Sequence, residues 1–136
     1  ICVGVAYRLI EDAVNFSAER KQFGKPIIEH QLIQAMLADS RAEAFAGRSM
    51  VLEAARSKDR GERVSLDASC CKLFCSEMVG RVADRAVQIH GGAGYMADYP
   101  VERFYRDVRL FRIYEGTTQI QQIVIARELA RQAKSS

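Results

Sequence analysis

The sequence has 136 residues, of which 49% are hydrophobic, so it can form one domain with a substantial apolar core. Its 20 basic and 17 acidic residues leave a net charge of +3 and are interspersed, without the basic stripe that is typical of nucleic-acid-binding proteins. No run of 18 apolar residues is present, so the sequence predicts no membrane-spanning helix. These features favour a soluble domain and argue against a nucleic-acid partner.

Four cysteines raise the question of a metal site or a disulfide bond. Cys70, Cys71 and Cys75 fall on one predicted helix, and Cys2 is far from them in the sequence. Their spacing matches no common zinc motif. We therefore interpret them as reduced, small apolar side chains in a reducing compartment, and we predict no metal site.

The helical spacing of apolar residues begins at the first residues of the sequence. We therefore interpret the sequence as a piece of a longer protein. Helical spacing of apolar residues predicts a first helix near residues 2–21, with a stripe formed by Val3, Tyr7, Ile10 and Val14. We expect this helix to end near Gly24 and Pro26, because glycine permits a left-handed helix end and proline cannot continue a helix interior.

Two longer helices are predicted near residues 30–58 and 65–89. The stripe of the second helix is rich in small residues that let a neighbouring helix approach closely, and it comprises Ile33, Leu37, Ser40, Ala44, Gly47 and Val51. A polar loop at 58–63 separates the two helices, and Ser65 is the expected N-cap of the third. The stripe of the third helix comprises Cys71, Cys75, Met78, Val82 and Ile89.

The remaining residues predict two further helices. Glycines at 91, 92 and 94 indicate a flexible connection to Pro100, which suits the first turn of a short helix. Thr118 and Gln121 match a capping box and predict the start of a last helix. Strand signals are nearly absent. The sequence therefore predicts an all-α fold, an antiparallel four-helix bundle, as a single domain over residues 1–136.

Three breaks between the predicted helices could carry chemistry, because functional side chains often lie on irregular backbone held by rigid neighbours. The first, residues 19–26, places Arg20 and two lysines beside Phe23, and it could bind a phosphate or form an ordinary basic helix end. In the second, Gly91 and Gly92 follow Gln88, and they could admit a ligand to the backbone amides or merely end the helix.

The third break contains Glu115, between apolar residues and a glycine that precedes the last helix. If the fold removes this carboxylate from water, it becomes strong enough to act as a general base. The alternative is an acidic residue that only interacts favourably with the helix N-terminus. No single break decides the function.

Read in order, the breaks and their surroundings contain E-R-K-Q-F-G-K-P at 19–26, Q-I-H-G-G-A-G-Y at 88–95, Y-P-V-E-R at 99–103, R-D at 106–107 and Y-E-G-T-T-Q-I-Q at 114–121. This sequence resembles the acyl-CoA dehydrogenase family from near Val3 to Arg131. In that family the subunit has an N-terminal helical domain, a middle β domain and a C-terminal four-helix bundle. The resemblance covers only the last, so the first two domains are absent from this sequence.

The resemblance implies an FAD-dependent oxidoreductase of fatty acid β-oxidation that converts an acyl-CoA thioester to the trans-2-enoyl-CoA. It also implies an electron-transfer flavoprotein as electron acceptor and a homotetramer or homodimer, with FAD held between domains and contacted by a neighbouring subunit. Since the flavin ring needs the middle β domain, we expect the isolated chain to be inactive.

The resemblance also assigns site residues. Glu115 matches the catalytic base that removes the substrate α-proton, with its backbone N–H on the thioester carbonyl. Arg20 matches a position near the FAD pyrophosphate, which its planar fork of donors suits. The positions that match cofactor-binding residues are Arg20, Gln22, Phe23, Gln88, Gly92, Thr117 and Gln119.

Two alternatives stay open. The chain could be a non-catalytic helical module that assembles with, or donates FAD contacts to, a separate remainder. It could also belong to an acyl-CoA oxidase-type flavoenzyme, although the T-Q-I-Q that completes the Y-E-G-T phrase favours a dehydrogenase. We expect the bacterial cytoplasm as the location, with the mitochondrial matrix as the alternative.

Overall fold

Five α-helices form most of the protein, of which the structure, a computed structural model, describes residues 1–134. The helices are α1 (Cys2–Glu19), α2 (Gln31–Asp59), α3 (Ser65–His90), the short α4 (Val101–Leu110) and α5 (Thr118–Ala133). The predicted all-α class is confirmed, and the three long predicted helices are each within two residues of their observed bounds. None of the helices in the described range is long and apolar enough to cross a bilayer.

Helix α3 is the central element, because it packs against all four other helices. It contributes the largest share of the fully buried side chains, including Met78, Val79 and Val82. Helices α2 and α3 pack against each other and are joined by only five residues, 60–64, so they run antiparallel. The predicted bundle is therefore built around one buried helix.

Small side chains, together with Leu9, form the buried face of α1. The residues at its interface are Ala6, Leu9, Ala13 and Ser17, whereas the predicted stripe of Val3, Tyr7, Ile10 and Val14 lies beside it and is only partly buried. The reason is steric, since alanine and serine let the α1 backbone approach its neighbours more closely than bulky residues would. The predicted stripe identifies the helix correctly, but it lies beside the residues that are most deeply buried.

Helix α2 meets α3 through the small residues that the sequence indicates, and Ser40, Ala44 and Gly47 are buried. A β-carbon on Gly47 would lie 3.3 Å from the Cys75 sulfur, so the two helices are in close contact. Burial raises the pKa of the Cys75 thiol to about 11. This thiol is therefore protonated at neutral pH and packs as a small apolar side chain, as the sequence predicts.

The end of α1 differs from the prediction. The helix stops at Glu19, because Arg20 is extended and begins a small antiparallel hairpin. The strands of the hairpin are β1 (Lys21–Gln22) and β2 (Lys25–Pro26), and a 3₁₀ turn over Ile27–Glu29 leads into α2. The hairpin escapes sequence analysis because each strand has only two residues.

Two predicted helix caps are wrong by one residue. The N-cap of α5 is Thr117, whose hydroxyl oxygen accepts from the Ile120 N–H at 3.3 Å, and Thr118 is already helical. Gln121, the predicted capping partner of Thr118, instead donates from its side-chain amide to the Glu115 carbonyl oxygen at 3.3 Å. Likewise, Ser65 is the first helical residue of α3, and its N-cap is Val64, without a side-chain cap.

The glycine-rich connection after α3 is not the flexible linker that the sequence indicates. Residues Gly91–Tyr95 form a 3₁₀ turn, and Gly94 within it is buried against the end of α3. A β-carbon on Gly94 would lie 2.7 Å from the His90 β-carbon and 2.8 Å from the Val87 carbonyl oxygen. Only glycine therefore permits this close approach of the turn to the helix.

We predict that Gly94→Ala destabilises the protein by about 1–3 kcal/mol, the range for overpacking against a rigid backbone. The measurement is thermal or denaturant unfolding followed by circular dichroism. Gly92→Ala is the matched control, since a β-carbon there meets no atom within 4 Å. If the two variants differ by less than about 0.5 kcal/mol, the close approach at Gly94 does not constrain the fold.

Candidate functional site

A groove lies where the C-terminal ends of α1 and α3 meet, and it has a volume of about 590 Å³. It brings together residues from the first two sequence breaks, because Arg20 and Gln22 lie on one side and Gly92 on the other. Its further lining residues are Phe16, Glu19, Ile27, Ile89, His90, Gly91, Ala93 and Tyr99. Three of the predicted cofactor-binding residues therefore share one concave surface.

Three aromatic rings form one wall of this groove. The Phe16 and His90 rings are stacked with centroids 4.2 Å apart, and the Tyr99 ring meets both edge-on at 5.4 and 5.5 Å. His90 is buried, and its Nδ1 lies 2.8 Å from the Ala86 carbonyl oxygen. Because a carbonyl oxygen only accepts, Nδ1 is the donor in this hydrogen bond. The sequence phrase contained His90, but the residue was not among the predicted site positions.

Arg20 presents an unpaired cation to the groove. Its backbone is fixed on both sides, since its N–H donates to the Phe16 carbonyl at 2.9 Å and its carbonyl accepts from Ile27 at 2.8 Å. Within residues 1–134, no carboxylate lies within ion-pair distance of its guanidinium. The exposed guanidinium is therefore available to an anionic group.

Phe23 lies at the tip of the hairpin, and its side chain is 93% exposed. Phe23 and Gly24 have φ of +53° and +81°, and positive φ at both central residues is the pattern of a type I′ turn. Asparagine and glycine are the usual residues there, and a phenylalanine in the left-handed region costs on the order of 1–3 kcal/mol. A large exposed ring in a strained turn adds nothing to the core, which points to a binding role.

Glu115 lies on the loop between α4 and α5, in the left-handed region with φ of +54°, and Gly116 follows with φ of +87°. Its carboxylate is exposed, so the expected removal from water is not provided by the residues of this chain. The Glu115 N–H donates to no acceptor among the described residues. Both the carboxylate and the backbone donor are therefore open to a ligand.

Helix α3 holds this loop through two polar side chains. The Lys72 ammonium donates to the carbonyl oxygens of Phe111 at 2.8 Å and Gly116 at 2.5 Å, on either side of Glu115. The Glu77 carboxylate accepts from the Thr118 hydroxyl at 2.7 Å and from the Arg112 guanidinium at 3.2 Å. Sequence analysis missed both residues. The available signal was a lone lysine in the apolar run at residues 70–75.

The remaining predicted residues are dispersed. The Thr117 hydroxyl is engaged as the N-cap of α5, and Gln119 is exposed on the first turn of that helix. Gln88 lies outside the first groove and lines a second one of about 1160 Å³ between α3 and α4. Neither groove is lined by Glu115, Thr117 or Gln119. The chain thus presents two separate surfaces, the groove at Arg20 and the loop at Glu115.

The described residues contain no cluster of three or more His, Cys, Asp or Glu side chains that could hold a metal ion. The two surfaces instead offer an unpaired cation, aromatic faces, the free backbone N–H of Glu115 and the exposed carboxylates of Glu19 and Glu115. This set of groups suits an organic ligand that carries phosphates and rings, together with proton abstraction by a carboxylate.

Known proteins are similar to this chain in both sequence and structure. Residues 1–130 match the model of the acyl-CoA dehydrogenase C-terminal domain. Over 131 residues the chain is 47% identical to a probable acyl-CoA dehydrogenase, YngJ, of Bacillus subtilis, covering 96% of this chain and 34% of that protein. It is 43% identical over 129 residues to the caffeyl-CoA reductase-Etf complex subunit CarC of Acetobacterium woodii, with 95% and 34% covered.

Solved structures give the same result. Butyryl-CoA dehydrogenase from Megasphaera elsdenii superposes with a TM-score of 0.92 at 40% identity, over 95% of this chain and 34% of that one. An FAD complex of PigA superposes with a TM-score of 0.91 at 30% identity, with the same coverage. The chain thus spans about a third of the length of the relatives that it matches. It belongs to the acyl-CoA dehydrogenase family and corresponds to the C-terminal domain of that family.

Proposed function

We propose that this chain supplies the catalytic base and part of the FAD site of an acyl-CoA dehydrogenase. The complete protein would convert an acyl-CoA thioester to the trans-2-enoyl-CoA. The observation that carries the proposal is the backbone at Glu115, which is held in a left-handed conformation with its N–H unpaired and its carboxylate exposed. The protein retains this strained conformation because the surrounding contacts fix it, and such strain is concentrated at active sites.

The proposed chemistry uses both groups of Glu115. Its carboxylate takes the α-proton of the acyl group, while its backbone N–H donates to the thioester carbonyl and stabilises the negative charge that develops there. FAD, when bound, supplies the acceptor for the hydride that leaves the β-carbon. Loss of the proton and the hydride gives the carbon–carbon double bond of the product.

A base must be partly removed from water to be strong, and Glu115 is exposed in this chain. We propose that the other domains of the protein and the bound acyl chain cover the carboxylate. The neighbouring side chains are suited to such a contact, because Ile113 and Tyr114 are 51% and 40% exposed beside it. Apolar groups that cover these residues would also exclude water from the base.

The residues of the Arg20 groove fit the phosphate-bearing part of FAD. The unpaired guanidinium suits the pyrophosphate, and Gly91 and Gly92 leave open space at the opposite side. The aromatic wall of Phe16, His90 and Tyr99 suits a stacked or edge-on ring. We assign Gln22 and the exposed Phe23 to the same contact, and we keep Gln88, Thr117 and Gln119 as further proposed cofactor-binding residues.

We further propose that the complete protein is a homotetramer or homodimer. Helix α5 has no buried residue, and its apolar side chains Ile120, Ile123 and Leu129 are each more than 40% exposed. Such a face favours coverage by another chain or domain. We expect the protein in the reducing bacterial cytoplasm, or alternatively in the mitochondrial matrix, where its free thiols persist.

Glu115→Gln tests the base in the full-length enzyme, because glutamine keeps the shape and the backbone N–H but cannot accept the α-proton. We predict normal FAD content and acyl-CoA binding, with flavin reduction slowed at or beyond the upper end of the 10²- to 10⁴-fold range of general-base removal. The measurement is single-turnover bleaching of oxidised flavin at saturating acyl-CoA. Glu11→Gln makes the same change at an exposed position of α1 and serves as control. Bleaching within about threefold of wild type would mean that the base lies elsewhere.

Arg20→Ala tests the cofactor groove. We predict that FAD affinity of the full-length enzyme falls by about 1–3 kcal/mol, since a charge-assisted hydrogen bond to phosphate is lost. Affinity is measured by titrating FAD into the apoenzyme. Arg48→Ala, at an exposed position on α2, is the matched control and should bind FAD like wild type. An unchanged affinity in Arg20→Ala would remove this residue from the site.

The electron acceptor separates a dehydrogenase from an oxidase. We propose an electron-transfer flavoprotein, which the name of the CarC relative supports by describing an Etf complex. We predict that the substrate-reduced enzyme passes electrons to an added electron-transfer flavoprotein at least about 100-fold faster than to oxygen, a difference of roughly 2.7 kcal/mol in activation free energy. Reoxidation of the flavin is followed in a stopped-flow instrument. Faster reoxidation by dissolved oxygen alone would support the oxidase alternative.

A further inference from the structure

Lys72 lies in the first half of α3 and contacts the loop that contains Glu115. Its Nζ donates to the carbonyl oxygens of Phe111 at 2.8 Å and Gly116 at 2.5 Å, which are 39 and 44 residues away in the sequence. These carbonyls lie four residues before Glu115 and one residue after it. A single ammonium group thus fixes both ends of the segment that presents the base.

Among the described residues, the Lys72 ammonium donates hydrogen bonds only to backbone carbonyl oxygens of this segment. Its side chain is partly buried, and within residues 1–134 no carboxylate lies within ion-pair distance of its Nζ. Phe111 is the C-cap of α4, so its carbonyl belongs to the negative end of that helix. Because no carboxylate of the described residues competes for it, the Lys72 ammonium stays on these two carbonyl oxygens and restrains the backbone that carries them.

The backbone between the two carbonyls is the part of the loop that needs such restraint. Glu115 and Gly116 are consecutive residues with positive φ, a conformation that a glutamate rarely adopts. Gln121 adds one weaker contact, because its side-chain amide donates to the Glu115 carbonyl at 3.3 Å. Loss of Lys72 removes both hydrogen bonds that hold the carbonyls on either side of Glu115, and a relaxation of its φ would change the direction of its side chain.

We propose that Lys72 is a positioning residue that sets the direction of the Glu115 carboxylate for proton abstraction. This inference rests on the proposed role of Glu115. It differs from a purely structural role, in which Lys72 would only cap α4 and stabilise the fold. Because a displacement of about 1 Å in a reacting group can cost roughly 100-fold in rate, a small rotation of the loop is sufficient to be measured.

The experiment uses the full-length FAD-bound enzyme with Lys72→Met, which keeps the apolar stem and removes the donors. We expect single-turnover flavin reduction to slow about 10- to 100-fold, with FAD content and the acyl-CoA dissociation constant within about threefold of wild type. Lys72→Arg restores donors and charge, and it should recover most of the rate. Lys58→Met, at an exposed position near the end of α2, is the matched control for loss of a lysine charge and should react like wild type.

The same substitution in the Glu115→Gln background separates positioning from stability. A residue that acts through the Glu115 carboxylate has little left to position once that carboxylate is gone, so Lys72→Met should cost less than about threefold there. An equal cost in both backgrounds would show that Lys72 does not act through the Glu115 carboxylate and would overturn the proposal, as would a rate within about threefold of wild type in Lys72→Met alone. If Lys72→Met loses FAD, Lys72→Gln replaces it in the same assays.

These outcomes are distinct from a failure of the proposed function. If Glu115→Gln alone reacts at nearly the wild-type rate, the assignment of the base is wrong, whatever Lys72 does. If Glu115→Gln is severely impaired and Lys72→Met is not, the base is correct and the positioning role is wrong. Full support requires impairment by each single substitution and a much smaller effect of Lys72→Met in the double variant.

Discussion

The burial of α3 is the constraint on which the other features depend. Four helices pack on it, and its buried residues are apolar except for Ser76 and His90. The charged side chains of α3 lie at the margins of this buried face, where several of them hold neighbouring elements. Arg81 and Arg85 both form ion pairs with Glu43 of α2 at 2.9 Å. Lys72 and Glu77 donate to or accept from the loop that contains Glu115. One rigid helix thus positions both its bundle neighbours and the loop with the proposed base.

The same helix separates the two functional surfaces. Glu77 contacts the loop that contains Glu115, and His90 lines the Arg20 groove. Glu77 and His90 are 13 residues apart on α3, which corresponds to about 20 Å along the helix axis. The groove that we propose for the phosphates of FAD and the carboxylate that we propose as the base are therefore held well apart on one chain.

Backbone strain marks both surfaces independently of any motif. Among residues 1–134, the non-glycine residues with positive φ are Phe23 and Glu115, and each is followed by a glycine with positive φ. Neither side chain is buried, so the strain adds nothing to the core. Each strained residue is at a position that the sequence phrases had indicated. The coincidence of strain, exposure and motif is stronger support for a functional role than any one of them.

Periodicity in the sequence was sufficient to predict the helices, because buried and exposed residues alternate with helical spacing over 18 or more residues in each of α1, α2 and α3. It was insufficient for the hairpin at Phe23, where two-residue strands carry no pattern, and for the caps, where Thr117 and Thr118 are chemically equivalent candidates. Glu115 was predicted as a site residue from its sequence phrase. Lys72 and Glu77 were not, since their contacts join residues about 40 positions apart. Such pairings depend on the packing of α3 and are not encoded locally.

The structure also divides the two requirements of a general base between different parts of the protein. Position is a property of this domain, because the Glu115 loop is fixed by contacts that lie wholly within it. Removal from water is not, since the carboxylate is exposed here, and under the proposed function it would be supplied by the other domains and the substrate. A carboxylate placed correctly but still hydrated is a weak base. Basicity would then develop only when substrate enters the assembled cleft, so that the charged carboxylate is desolvated only where an α-proton is available to it.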